Sequence, residues 1–280
     1  MPAASPAVPL VPFHDGHSIP QLGYGVFKVD PAAAAEMTAR ALTAGYRHID
    51  TAKAYDNEAG VGRAIAESGI ARDDLFVTTK LANDSHAFDD AIAAGEASLE
   101  ELGLDCLDLY LVHWAAPSQG QYVEAWKALI ELQKRGLVRS IGVSNFPIAQ
   151  LEEIIEATSV VPVIHQIELH PYFQQRELRA FHAEHGILTQ GWGPLGQGKS
   201  DLLENDVVTG IAEAHGATPA QVILAWHLAS GFITIPKSVT PSRIVENLAA
   251  AELELTADEV AAIDGLDRED GRGGTDPATR

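Results

Sequence analysis

Side chains of three different chemistries stand where short apolar runs of this sequence stop. The run Arg47-His48-Ile49 stops at Asp50, Leu75–Thr79 stops at Lys80, and Leu107–Val112 stops at His113; Tyr55 follows shortly after Asp50. A lysine withdrawn from water is costly unless a carboxylate pairs with it, and Asp50 can supply one. A protonated lysine beside a tyrosine stabilises the phenolate, which predicts a Tyr55 pKa below its free value of roughly 10. Such a tyrosine is a better proton donor near neutral pH. His113 would hydrogen-bond the same oxygen and orient it. Together the four would polarise a carbonyl and protonate its oxygen as negative charge develops there. The set lacks a reductant, and no serine sits in a Gly-x-Ser-x-Gly elbow. A hydride from a bound nicotinamide would fill that gap.

Residues scattered this widely need a fold that gathers strand ends. The apolar runs also include Ser140–Val143, Val163–Ile167, Ile187-Leu188 and Phe232–Ile235, with Leu22–Val26 as a weak first strand. Helical patterns lie between them: Ala32–Ala44, Ala87–Leu102, Tyr122–Arg135, Ile148–Ala157, Glu177–His185, Pro219–Ser230 and Arg243–Ala250. Strands alternating with helices predict a parallel sheet. Eight strand candidates without a composition break predict one closed (β/α)8 barrel spanning residues 1–280. Residues 8–25 would form an N-terminal hairpin, turning at His14-Asp15-Gly16, and the first strand; residues 268–280 would be a tail. In such a barrel the polar strand ends share one rim, the C-terminal face, where catalytic residues collect.

Composition narrows the function classes. The chain has 280 residues, 46% of them apolar, enough for a sizeable core, and 39 acidic against 19 basic residues give a net charge of −20. That charge repels phosphate backbones and anionic lipid, so neither nucleic acid nor a membrane surface is an expected partner. Cys106 is the only cysteine, which suits a reducing cytoplasm. Met1–Pro12 lacks the basic start and apolar core of a signal peptide, and no stretch is long enough for a membrane helix.

At the level of motifs the chain resembles the aldo-keto reductases. The likeness rests on Asp50–Glu58 (DTAKAYDNE), Thr79-Lys80-Leu81, Leu111–Trp114 (LVHW), Ile141–Phe146 (IGVSNF), Ile235–Ser238 (IPKS) and Arg243–Asn247 (RIVEN). It spans nearly the whole chain, and the wording of Leu22–Val29 and Trp192–Lys199 is most like the bacterial 2,5-diketo-D-gluconic acid reductases. The resemblance implies a monomeric barrel enzyme that reduces a small carbonyl substrate with NADPH. Tyr55 would be the general acid, Lys80 and Asp50 its tuning pair, and His113 the residue that orients the carbonyl. Ser144, Asn145 and Gln166 would hold the nicotinamide carboxamide, Trp192 would stack on the ring, and Gly193 and Leu195 would lie along the pyrophosphate. Lys237, Ser238 and Arg243 would grip the 2′-phosphate of NADPH/NADP+, with Glu246 and Asn247 at the adenine. Phe27, Ala82 and Trp114 would line the substrate pocket. Ala82 stands where this subgroup usually has Trp, His165 where Asn commonly precedes the glutamine, and Val239-Thr240-Pro241 where the chain is often more basic.

Competing motifs read differently. Gly193–Ser200 fits the Walker A spacing, but Pro194 removes a backbone N–H that a phosphate cradle uses. Gly23-Tyr24-Gly25 begins like a dinucleotide fingerprint and lacks the third glycine. His165, Glu168 and His170 are close in sequence, but strand alternation starts the two histidines on opposite faces, and no metal is expected. His182 and His185 are expected to be solvated on an outer helix, and Trp126 and Trp226 to be core. Rival readings are a broad aldehyde or α-dicarbonyl reductase, a non-catalytic nucleotide-binding barrel, and a barrel isomerase or metal hydrolase.

Overall fold

The computed structural model describes residues 7–279; residues 1–6 of the Met1–Pro12 segment, and the last residue of the tail, lie outside the described residues. An antiparallel hairpin pairs β1 (Leu10–Pro12) with β2 (Ser18–Pro20). It rests against strand starts: Phe13 packs on Phe76 with ring centres 6.2 Å apart, and Ser140 Oγ donates to Asp15 Oδ2 at 2.8 Å.

Eight parallel strands follow in chain order: β3 (Tyr24–Gly25), β4 (His48–Asp50), β5 (Phe76–Leu81), β6 (Leu107–Val112), β7 (Val138–Ser144), β8 (Ile164–Glu168), β9 (Leu188–Trp192) and β10 (Ile233–Thr234). The sheet closes on itself where Leu22 bridges Thr234 in parallel and Gly25 N donates to Pro236 O at 3.1 Å. An added Cβ at Gly25 would stand 2.9 Å from the Ile235 carbonyl oxygen, so that glycine lets the seam close. The Gly-Tyr-Gly stretch is therefore barrel seam. Every residue of β4, β5, β6 and β8 is buried, so apolar side chains stand on both faces of these strands instead of alternating strictly. The polar ones among them, such as Asp50, Lys80, Asp108 and Gln166, are buried as well.

The helices are α1 (Pro31–Ala44), α2 (Glu58–Glu67), α3 (Phe88–Leu102), α4 (Tyr122–Lys134), α5 (Ile148–Thr158), α6 (Arg176–His185), α7 (Asp206–His215), α8 (Pro219–Ala229), α9 (Pro241–Ala249) and α10 (Ala257–Asp264). Local chemistry starts them. Asp30 caps α1 by accepting from Ala32 N, with Pro31 at its first position, and Thr218 with Gln221 makes a capping box on α8. In α4, Ala125, Leu129 and Leu132 are buried while Glu124 and Lys127 pair outside. Trp126 and Trp226 are fully buried, as core. The glycines of α2 weaken its helical pattern in the sequence, yet a Cβ at Gly62 would lie 2.2 Å from the Leu102 carbonyl. Close packing on α3 needs that glycine.

His182 corrects an expectation. It is buried on the inner face of α6, not solvated. His165 Nε2 accepts from Phe146 N at 2.9 Å, which leaves its proton on Nδ1 to donate to His182 Nε2 at 2.8 Å. His182 Nδ1 then donates to Thr189 Oγ1 at 2.8 Å. Burial depresses both rings, His182 to about 4 and His165 well below its ordinary value, which favours the neutral forms.

Candidate active site

Asp50 ends β4 and Lys80 sits on β5, and both are buried, at 1% and 0% exposure. Lys80 Nζ donates to Asp50 Oδ1 at 2.5 Å and to the Thr51 carbonyl at 2.8 Å. It also lies 5.0 Å from the centre of the Tyr55 ring, with the phenol oxygen in reach. From the far wall of the barrel, Gln166 Nε2 on β8 donates to Asp50 Oδ2 at 2.8 Å. Both oxygens of Asp50 are therefore held.

Tyr55 ends a single 3-10 turn, Lys53–Tyr55, which Asp56 terminates in the left-handed region at φ 56°. Aspartate tolerates that region better than most side chains. Asn57 fastens the loop: its Oδ1 accepts from Thr51 Oγ1 at 2.7 Å and its Nδ2 donates to Val26 O at 3.0 Å. The Tyr55 ring is flanked by Phe27, 5.0 Å away, and by His113, edge-on at 5.6 Å. The structure thus brings Asp50, Tyr55, Lys80 and His113 together at one rim.

The electrostatics depart from expectation at one point. Burial opposes the Lys80 charge, but Asp50 and Tyr55 outweigh it and hold the ammonium above its ordinary pKa. Burial also pushes the Tyr55 phenol above its ordinary value, and Lys80 pulls back only part of that rise while Asp50 adds to it. The lysine effect is present. Desolvation of the phenolate exceeds it.

Ser144, Asn145, Gln166 and Trp192 gather at neighbouring strand ends. Asn145, at φ 56°, is the hub: its Nδ2 donates to His113 O at 3.0 Å and to Ser144 Oγ at 2.8 Å, and its Oδ1 accepts from Trp192 Nε1 at 2.8 Å. Beyond Trp192, Gly193 and Leu195 lead into a 3-10 turn, Gly196–Gly198, and α7 starts only at Asp206. A P-loop runs straight into a helix N-terminus, and this segment does not.

Lys237, Ser238, Arg243, Glu246 and Asn247 surround the passage from β10 into α9. Lys237 and Arg243 are exposed, and neither has a carboxylate at ion-pair distance among the described residues. Ser238 is buried, with its Oγ accepting from Thr240 N at 3.1 Å, and Asn247 is buried as well. Glu246 is committed elsewhere: its carboxylate accepts from Thr218 Oγ1 at 2.8 Å, at the cap of α8.

The expected pocket trio is spread out. Phe27 is 46% exposed beside Tyr55, Ala82 is half-buried just after β5, and Trp114 is buried. None of the three lines the small cavity of about 90 Å³ between Asn145, Glu168, Trp192 and the tail residues Thr275 and Pro277. The tail's docking had no signal in the sequence. Glu168 Oε1 accepts from Gly273 N at 2.8 Å, Oε2 accepts from Gly274 N at 2.9 Å, and Lys199 Nζ donates to Gly273 O at 2.6 Å. Thr51, Asn57 and Gln190 join the site as supports that the sequence assigned no role; Gln190 lies on β9, just beyond the Ile187-Leu188 run.

Known proteins share this chain's sequence and architecture. The sequence profile of the Aldo/keto reductase family matches residues 21–268. An aldo-keto reductase of Mycobacterium sp. (strain KMS) is 50% identical over 272 residues, covering 97% of each chain. The methylglyoxal reductase DkgA of Escherichia coli (strain K12) is 48% identical over 268 residues, covering 95% of each. The crystal structure of a Gox0644 mutant in complex with NADPH superimposes with a TM-score of 0.93 at 50% identity, covering 98% of this chain and 99% of that one. Family match, identity and superposition agree: this chain belongs to the aldo/keto reductase family.

Proposed function

We propose that this aldo/keto reductase reduces small α-dicarbonyls and related aldehydes with NADPH, and that Tyr55 is the proton donor. The observation that carries the reading is the buried Lys80–Asp50 pair set beneath the Tyr55 phenol at the rim. When bound, NADPH supplies the hydride that reaches the carbonyl carbon. Tyr55 gives its phenolic proton to the carbonyl oxygen, and Lys80, kept protonated by Asp50, stabilises the phenolate that remains. His113 stands edge-on to Tyr55 and orients the oxygen.

The chain's own donors fit the cofactor. Exposed Lys237 and Arg243, unpaired on a chain of net charge −20, offer a point charge and a fork for a 2′-phosphate. Ser238 stands between them in sequence. Trp192, fixed by Asn145, presents a half-buried indole for ring stacking, with Ser144 and Gln166 beside it for a carboxamide. Gly193 and Leu195 begin the flap that would follow the pyrophosphate. Asn247 suits the adenine, whereas Glu246 would first have to release Thr218.

The relatedness to a protein named methylglyoxal reductase supports a small dicarbonyl substrate. Ala82 supports a wider mouth, because a methyl group stands where the resembling subgroup carries an indole. Diketo sugar acids such as 2,5-diketo-D-gluconate are the second substrate class this reading admits. The same reading places the enzyme in the cytoplasm as a monomer; none of the described helices is long and apolar enough to cross a membrane.

The test is a panel of aldehydes, α-dicarbonyls and keto acids, followed by loss of NADPH absorbance and repeated with NADH. Arg243→Ala should weaken NADPH at least ~10-fold more than NADH, as expected for a charge-assisted contact made to one cofactor only. Equal losses would remove Arg243 from the phosphate site. Ala82→Trp should lose bulky substrates while keeping methylglyoxal; an unchanged profile would take Ala82 off the pocket wall.

A further inference from the structure

We propose that Gln190 is a positioning residue for this reaction, fixing the Gln166 amide against Asp50. The inference rests on the reductase reading above. Gln166 uses both hydrogens of one nitrogen: Nε2 donates to Asp50 Oδ2 at 2.8 Å and to Gln190 Oε1 at 3.0 Å. An ionised carboxylate only accepts, so Asp50 dictates which end of Gln166 faces it. Gln166 then dictates which end of Gln190 faces it, since reversing Gln190 would set two amide NH2 groups against each other. The orientation passes from Asp50 to β9 without a choice.

The surroundings make this chain of bonds stiff. Gln166 and Gln190 are register partners on β8 and β9, and Asp50, Gln166 and Gln190 are 1%, 2% and 0% exposed. Bonds away from water are stronger and reinforce one another. The same orientation leaves Gln190 Nε2 buried with no partner, a cost a structural amide would normally avoid. With its nitrogen engaged twice, Gln166 has only its carbonyl oxygen left for a ligand. With NADPH bound, Gln166 would accept from the carboxamide, and Gln190 would keep it facing that way.

The experiment compares Gln190→Met, which keeps length and removes the amide acceptor, with Gln190→Glu, which keeps an acceptor oxygen. Both full-length variants and the parent are measured for kcat and KM with methylglyoxal, for NADPH Kd by quenching of tryptophan fluorescence without substrate, and for Tm. Gln190→Met should lower kcat about 10- to 100-fold, the scale of a misplaced reacting group. Its NADPH Kd should rise several-fold while KM for methylglyoxal stays, and Tm should hold, because the loss of the unpaired Gln190 amide offsets the Gln166 N–H left without its acceptor. Gln190→Glu should recover the NADPH Kd and shift the basic limb of the kcat profile upward, since added negative charge disfavours the phenolate. Parental kcat and Kd in Gln190→Met would overturn the proposal, as would a loss of kcat that merely tracks a loss of Tm. A parent that oxidises no NADPH with any carbonyl would instead overturn the reductase reading, while the NADPH Kd comparison still decides the role of Gln190.

Discussion

The two ends of the barrel each hold a buried aspartate, one paired with a single lysine and the other with two arginines, and the pairs are built differently. At the end where the strands begin, Asp108 is 3% exposed; its Oδ2 accepts from Val77 N at 2.8 Å and pairs with Arg72 at 2.6 Å, and its Oδ1 accepts from Arg139 at 3.0 Å. The arginines are also tied to the fold: Arg72 donates to the Leu75 and Cys106 carbonyls, and Arg139 to Asp73. Asp73, Asp108 and Arg139 also line an open cavity of about 640 Å³ at that end, but each arginine there is already tied to a carboxylate. At the other end, Lys80 spends two bonds on Asp50 and Thr51 and has one donor left, with the Tyr55 phenol in reach. A buried ion pair by itself says little about function. What counts is whether the cation is saturated by the fold or keeps a donor turned toward a reactive oxygen.

The comparison breaks most visibly at Tyr55 and Lys80. Tyr55→Phe should lower kcat ~10²–10⁴-fold with NADPH binding and Tm unchanged, because only a transition-state proton is lost. Lys80→Met should cost as much activity and also about 3 kcal/mol of stability, since a buried Asp50 then lacks its counter-ion. Near-normal turnover in Tyr55→Phe would remove the phenol from the mechanism; an undiminished Tm in Lys80→Met would mean that Asp50 is not ionised there.

Acid should act next, and on the barrel wall. Burial lowers His48, His86, His182 and His227 to about 4, and His165 further still. Groups depressed below an unfolded value near 6.5 stabilise the fold above that pH and stop doing so as pH falls toward 4. Denaturant midpoints measured from pH 8 to pH 4 should therefore fall steadily below about 6.5. A flat profile would mean these rings are protonated in the folded protein or solvated.

The smallest effect belongs to the saturated end. Asp108→Asn should cost only about 1 kcal/mol, because Arg72 and Arg139 are about a third exposed and rehydrate. Turnover with methylglyoxal should stay within about twofold of the parent, as for a site away from the chemistry. A large loss of kcat in a folded Asp108→Asn variant would show that the two ends are coupled.

Much of this was legible in the residue order. Strands buried on both faces are rich in apolar residues. The polar residues where the Arg47–Ile49, Leu75–Thr79 and Leu107–Val112 runs stop therefore made Asp50, Lys80 and His113 visible as rim residues, whereas buried Asp108 lies inside such a run. Tyr55 came from its place in the loop after Asp50. Less legible was α2, whose glycines count against a helix until the Leu102 carbonyl is seen pressing on Gly62. His182 misled because three-residue spacing on a helix does not say which face meets the barrel. The tail matched no pattern, since its glycine amides dock on Glu168 through backbone that carries no side-chain signal.

The sequence by itself determined the alternation of strand and helix, the closed barrel and the residue types on its rim. These follow from local rules of period, capping and burial. Tertiary structure alone decided which atoms meet: that Gln166 turns its nitrogen to Asp50, that Asn145 joins His113, Ser144 and Trp192, and that Glu246 is committed to Thr218. It also decided the direction of the Tyr55 shift, where desolvation exceeds the pull of Lys80. Desolvation depends on how many atoms from distant segments surround a group, and no spacing along one chain records that number.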